Sequence, residues 1–251
     1  MAVQSAAALI WPQIFYSDRE TLSAFLPNDA VNLAVLLPAA TALAFLVRRK
    51  RLFGLCLLPG VLLQILYNTI VQTVGTRFSL LAIPYILIFF LAASDLYLSF
   101  TTIRGEVVKK STAGKIRERI AGGVLAAFGT AFLLMAGVQA GASRLQGEAI
   151  TAAQAGLHAA DLIIAVPWIS GGAALFRRRV FGYQAAGGLA LHAALSFLGL
   201  LVFLLVRPAL TSMPLDYRDV LSLATFTVPV VSLAGFFLAR IGRLLRGQLI
   251  L

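Results

Sequence analysis

Seven apolar runs, each about long enough to cross a bilayer, leave this chain little choice of fold. They cover residues 31–47, 52–75, 78–103, 120–141, 157–176, 180–206 and 218–240, and a transmembrane helix needs roughly 20 such residues. None alternates polar and apolar side chains as a barrel strand does, so helices are the way to pair every backbone N–H and C=O in lipid. The expected fold is all-α: a polytopic membrane helical bundle of seven transmembrane helices, forming a single transmembrane domain over residues 29–251. Only 12% of the residues are charged, about half the share of a soluble domain.

The net charge of +11 is explained by topology. Sixteen of the 21 basic residues, among them Arg48–Arg51, Lys109, Lys110 and Arg177–Arg179, fall on one side of a seven-span arrangement. Arg19, Arg77, Arg144, Arg207 and Arg218 fall on the other. The positive-inside rule then places the N-terminus outside and the C-terminus in the cytoplasm of a bacterial inner membrane, and nucleic acid is not an expected partner. Residues 1–28 lack the basic n-region of a signal peptide, and their apolar stretch is broken by Pro12. They are expected on the outer face, with Trp11, Phe15 and Tyr16 at headgroup level; a re-entrant element is the alternative. Cys56, the only cysteine, excludes a disulfide framework and a thiolate metal cluster.

A frame recurs at a spacing of 129 residues. Residues 32–49 and 161–178, aligned without gaps, are identical at six of eighteen positions, including Pro38/Pro167, Arg48/Arg177 and Arg49/Arg178. The echo continues as Phe53-Gly54 and Phe181-Gly182, with Gln64 and His192 each eleven residues after the Phe. Helices 1 and 5 would both run from outside to inside, so the duplication is parallel. It arranges halves 29–103 and 157–246 around a connector, 120–141, in a 3+1+3 plan. Gly137 and Gly141 of the connector make a small-xxx-small pair, read as a packing face within the chain, with a homo-oligomer or partner-subunit contact as the alternative.

Polar side chains inside apolar runs carry the functional signal, because a charge at a helix centre costs about 2.5–3.5 kcal/mol on insertion scales. Asp95 is the deepest acid, read either as a proton, cation or substrate site or as a hydrogen-bonded carboxyl joining helix 3 to its neighbours. Asn32 and Asp161 occupy equivalent repeat positions, each six residues before a proline that frees a backbone carbonyl. They either line a site or cap the wet ends of their helices. His158 precedes Asp161 by one turn, and Gln64, Asn68 and His192 lie near mid-membrane. A path for a solute or proton would use Asn32, Gln64, Asn68, Asp95, His158, Asp161 and His192.

His158 and His192 differ in depth by roughly 9 Å at 1.5 Å per residue. That argues against a shared haem iron and against a two-histidine, one-carboxylate metal centre with Asp161; no cofactor is expected. The chain lacks H-E-x-x-H, G-x-S-x-G, a phosphate-binding glycine loop and C-x-x-C-H. All four lysines fall in loops, which excludes a retinal Schiff base in the last helix.

The run Asn28-Asp29-Ala30-Val31-Asn32-Leu33, with Pro38, Arg48–Arg51, Pro59-Gly60 and Tyr67-Asn68, resembles a group of uncharacterised bacterial polytopic membrane proteins. Asp161-Leu162, Pro167, Arg177–Arg179 and Gly182-Tyr183 extend that resemblance to helices 5 and 6. It implies a membrane fold and no particular site residue. The 3+1+3 layout also resembles the SWEET and PQ-loop transporters, although Pro38 and Pro167 are followed by Ala39 and Trp168 instead of glutamine. The leading expectation is a protein that binds or carries a small solute in a cleft between two three-helix halves. The others are an accessory membrane subunit that docks a partner, and a membrane enzyme or redox protein.

Overall fold

The computed structural model describes residues 1–16, 18–49, 51–76, 82–145, 147 and 149–249. Lys50 and Arg77, both counted in the charge distribution, lie outside the described residues, as does the side chain of Arg144. Among the described residues the protein is all-helical, with seven helices long and apolar enough to cross a membrane. Two short helices, α1 (Ala2–Ile10) and α2 (Pro12–Phe15), precede the first of these.

The first long helix runs from Arg19 to Arg48, twelve residues before the expected start at 31. It is built from α3 (Arg19–Val31), a π-helical turn (Asn32–Leu36) and α4 (Leu37–Arg48). Asp18 caps it by accepting from the Thr21 N–H at 2.8 Å, satisfying one of the helix's free donors. Asn28 and Asp29 precede the expected span and Asn32 stands at its start, yet all three lie within this rod. The π-turn lies just before Pro38, which cannot donate to the carbonyl four residues back, and in it the Leu37 N–H reaches Asn32 O, five residues back.

The remaining spans are α5 (Leu52–Gly75), α6 (Ile83–Thr102), α8 (Glu118–Leu145), α9 (Ala152–Phe176), α10 (Val180–Leu210) and α11 (Tyr217–Leu244), with a short α7 (Gly105–Thr112) before α8. Helix α5 is the central one, 78% buried over its apolar window against 11% for α11. The main core joins Leu55, Leu63 and Leu66 of α5 to Trp168 and Leu175 of α9 and to Ala186 and Leu189 of α10. Large apolar side chains on α6, α8 and α11, such as Phe90, Leu134 and Phe236, face outward, where a bilayer would cover them.

Glycines let the helices touch backbone to backbone. A side chain at Gly60 would collide with the carbonyl of Gly188, so α5 and α10 cross in direct contact. Gly54 sits against Leu46, and Gly182 against Leu175, in the same way. Helix α8 approaches α9 through Gly122 and Gly129, next to Gly172 and Trp168. The expected use of Gly137 and Gly141 is corrected here, because an added side chain at either would meet nothing within 4 Å. Small residues permit close approach but do not choose which side of a helix receives it.

One end of the bundle gathers Arg51, Arg104, Arg178 and the C-terminal segment. There Arg51 pairs with Leu249 in an isolated bridge, Gln184 donates to Ile103 O at 2.8 Å and Gln248 donates to Ser111 Oγ at 2.8 Å. Glu118, 3% exposed, accepts from the Gly114 N–H and from Tyr183 OH, and Arg178 stands 3.9 Å away. These contacts close this basic end.

Candidate functional site

Toward the opposite end the helices separate around a cavity of about 550 Å³. Helix α3 brings Glu20 and Ser23 to its mouth, where Thr151 and Gln154 open α9 and Arg207 and Met213 stand at and beyond the end of α10. Halfway down are Tyr67 and Asn68 of α5 and Asp161 of α9. The floor is made by Gln64, Ser196, His192 and Trp168, with Gly129 and Phe132 of α8 beside them. Its wall is otherwise apolar and aromatic. The Gly60–Gly188 crossing lies one helical turn below Gln64 and His192 on the side of the basic end.

Three hydrogen bonds between helices hold polar groups of the lower cavity. Tyr67 OH donates to Asp161 Oδ1 at 3.1 Å, and Ser196 Oγ donates to Gln64 Oε1 at 2.9 Å. At the floor, Trp168 Nε1 donates to His192 Nδ1 at 2.9 Å with the rings edge-on. An indole N–H is a donor only, so Nδ1 offers its lone pair and the imidazole proton sits on Nε2. That Nε2, in a side chain 2% exposed, has no partner in the protein. A buried donor without an acceptor is costly, and this one belongs to a residue of the cavity wall.

The chain matches no family model, no curated protein and no solved structure.

Four of the seven residues singled out in the sequence line this one cavity: Gln64, Asn68, Asp161 and His192. Asn32 stands behind the wall, accepting from Asn68 Nδ2 at 2.8 Å. His158 is half-buried one turn before Asp161 and does not line the cavity, and its Nδ1 has no partner. Asp95 is exposed on the outer surface of α6, away from both the cavity and the core; polarity marks its depth but not the direction in which it points. His158, Asp161 and His192 form no three-ligand group among the described residues.

Several residues of this region were not singled out in the sequence. Trp168 and Ser196 position the floor, and Arg207 is at the mouth, its guanidinium 6.0 Å from the centre of the Phe203 ring. A buried chain of hydrogen bonds also runs away from the cavity. Asn32 Nδ2 donates to Ser5 Oγ at 3.2 Å, Ser5 Oγ donates to Asp29 Oδ1 at 2.7 Å, and Tyr16 OH donates to Asp29 Oδ2. Burial first, and then the Asp29 carboxylate, push the Tyr16 hydroxyl pKa up, which keeps it protonated and donating. The one sequence signal for this chain is the adjacency of Asp29 and Asn32; Ser5 carries none, and Tyr16, expected at headgroup level, is instead buried against Asp29.

Proposed function

We propose that the protein binds a small amphipathic solute in this cavity and passes it across a bacterial inner membrane. The observation that carries the reading is convergence: Gln64, Asn68, Asp161 and His192, from three different helices, line one cavity that reaches one end of the bundle. By the distribution of basic residues that end is the outer one, so this is an outward-facing arrangement closed below by the Gly60–Gly188 crossing.

The contacts also support an internal duplication. Phe53/Phe181 and Gly60/Gly188 share a spacing of 128 residues, and the two glycines meet each other. Gly54 packs on Leu46 as Gly182 packs on Leu175, and Leu46 and Leu175 are themselves 129 apart. A two-fold axis along the membrane normal would pass between Gly60 and Gly188. Rocking of two such halves about their closest contact is a route to alternating access.

The wall specifies what would bind. The His192 Nε2–H asks for an acceptor at the floor, Asp161 asks for a donor or cation halfway up, and Phe132, Trp168 and Phe197 take an apolar body. Asp161 and the floor residue Trp168 are seven positions apart on α9, roughly 10 Å in depth. The test pairs a thermal-shift panel of 2-phenylethylamine, 2-phenylethanol and phenylacetate with thiol labelling in a Cys56→Ala background. Amine stabilisation lost in Asp161→Asn, and labelling of Ser196→Cys by an impermeant reagent from the outer side only, are expected. No shift from any of the three, together with no labelling at Ser196→Cys, would remove the reading.

A further inference from the structure

Behind the cavity wall lies a second polar centre that the solute reading does not use. Asp29 is 0% exposed, and no Lys, Arg or His stands within ion-pair distance of it among the described residues. Its oxygens accept from Ser5 and Tyr16. Gln72, also 0% exposed, and Tyr85, 2% exposed, face the same Tyr16 hydroxyl. Neither amide atom of Gln72 nor the Tyr85 oxygen makes a hydrogen bond of good geometry, although both residues stand beside the Tyr16 hydroxyl. The surroundings are apolar: Ala8, Phe25, Ile70 and Val71 pack around Tyr16.

An uncompensated carboxylate at this depth is expensive, and so is each orphaned polar atom. One addition answers both. We propose that Asp29, Gln72 Oε1 and the hydroxyls of Ser5, Tyr16 and Tyr85 form a site for a monovalent cation of the size of sodium. All the offered donors are oxygens, which suits a hard cation. The single carboxylate supplies one negative charge, which matches a monovalent ion and leaves a divalent one under-neutralised. The site is assembled from α1, the segment after α2, α3, α5 and α6, so an ion there would fasten the N-terminal segment to the bundle.

The site also touches the cavity through a defined path. Ser5, an Asp29 partner, accepts from Asn32, and Asn32 accepts from Asn68 of the cavity wall. Ion occupancy and the position of Asn68 are thereby linked. That linkage rests on the solute reading; the ion site itself does not.

The experiment uses the full chain in detergent or nanodiscs without any solute. Unfolding temperature is followed while NaCl replaces choline chloride at constant ionic strength and pH 8. A rise with the logarithm of sodium concentration is expected, smaller with potassium and absent in Asp29→Asn. Gln72→Leu, which leaves the carboxylate in place, is expected to raise the half-saturating sodium concentration about tenfold. It also keeps the test open if Asp29→Asn fails to fold. Equal unfolding temperatures in sodium and choline overturn the site, as does an equal sodium response in wild type and Gln72→Leu. A stabilisation that depends on pH alone would make Asp29 a proton site and overturn it too. None of these outcomes depends on the phenylethylamine panel, so the two readings fail separately.

Discussion

The two copies of the repeated frame, α3–α4 and α9, carry a proline at the same place and treat it differently. In the first, the ladder opens into a π-turn at Asn32–Leu36 just before Pro38. In the second, α9 runs as an α-helix through Pro167. One extra residue in a helical ladder rotates the segment before it by about 100° relative to the segment after it. Asn32 accordingly points between α1 and α5 and is closed into the Ser5–Asn68 chain, 3% exposed. Asp161, its sequence counterpart, stays on the cavity wall with Tyr67. The difference in backbone register gives two sequence-matched positions different surroundings, one closed within the bundle and one on a cavity wall.

The largest effect is expected where the halves are most alike. Gly60→Ala or Gly188→Ala would force apart a backbone contact between α5 and α10, costing about 1–3 kcal/mol as overpacking does. Gly137→Ala, with nothing within 4 Å, should instead gain up to about 1 kcal/mol of helix propensity. Unfolding by detergent titration reads both, and a Gly60→Ala protein as stable as wild type would break the proposed axis. Next come the two unlike positions. Asn32→Ala strands the Asn68 amide and a lone pair of Ser5, at about 1–2 kcal/mol. Asp161→Asn is expected to change stability by less than about 0.5 kcal/mol while abolishing amine stabilisation. If both destabilise equally, the contrast between an internal and a ligand-facing position is wrong.

How far sequence could reach depends on which physical signal each feature leaves. The spans were legible because a hydrocarbon core demands long apolar runs, and helices α5 and α9–α11 fall within a few residues of expectation. The start of the first span was not. Asn28 and Asp29 are too polar to extend an apolar run, and the partners that hold Asp29 and Asn32 in place, Ser5, Tyr16 and Asn68, are distant in sequence or on another helix. Gln64, Asn68, Asp161 and His192 stood out as polar residues in apolar runs, and so did Asp95, but hydropathy records depth without azimuth. For the same reason Gly122 could not be told from Gly137: protein and lipid are both apolar neighbours. Trp168 left no trace, since one more apolar ring does not stand out in an apolar run.

That tryptophan supplies the smallest and most discriminating test. Its counterpart in the first half is Ala39, which has no group to donate, while Trp168 donates to His192 Nδ1. Trp168→Phe keeps an aromatic ring against Phe128 and Phe132 and removes only the N–H. An interhelical hydrogen bond in a membrane is worth about 0.6 kcal/mol, so the protein should remain folded with a slightly lower unfolding temperature. The consequence for His192 is larger than the energy. Without the indole donor nothing reserves Nδ1 as the acceptor, and the imidazole proton is free to sit on either nitrogen. Nitrogen NMR of labelled histidine should show one protonated Nε2 in the wild type and mixed tautomers in Trp168→Phe, with weaker binding of any solute that accepts from Nε2. An unchanged tautomer would mean that another group fixes the ring, and the difference between the halves at this position would then carry no function.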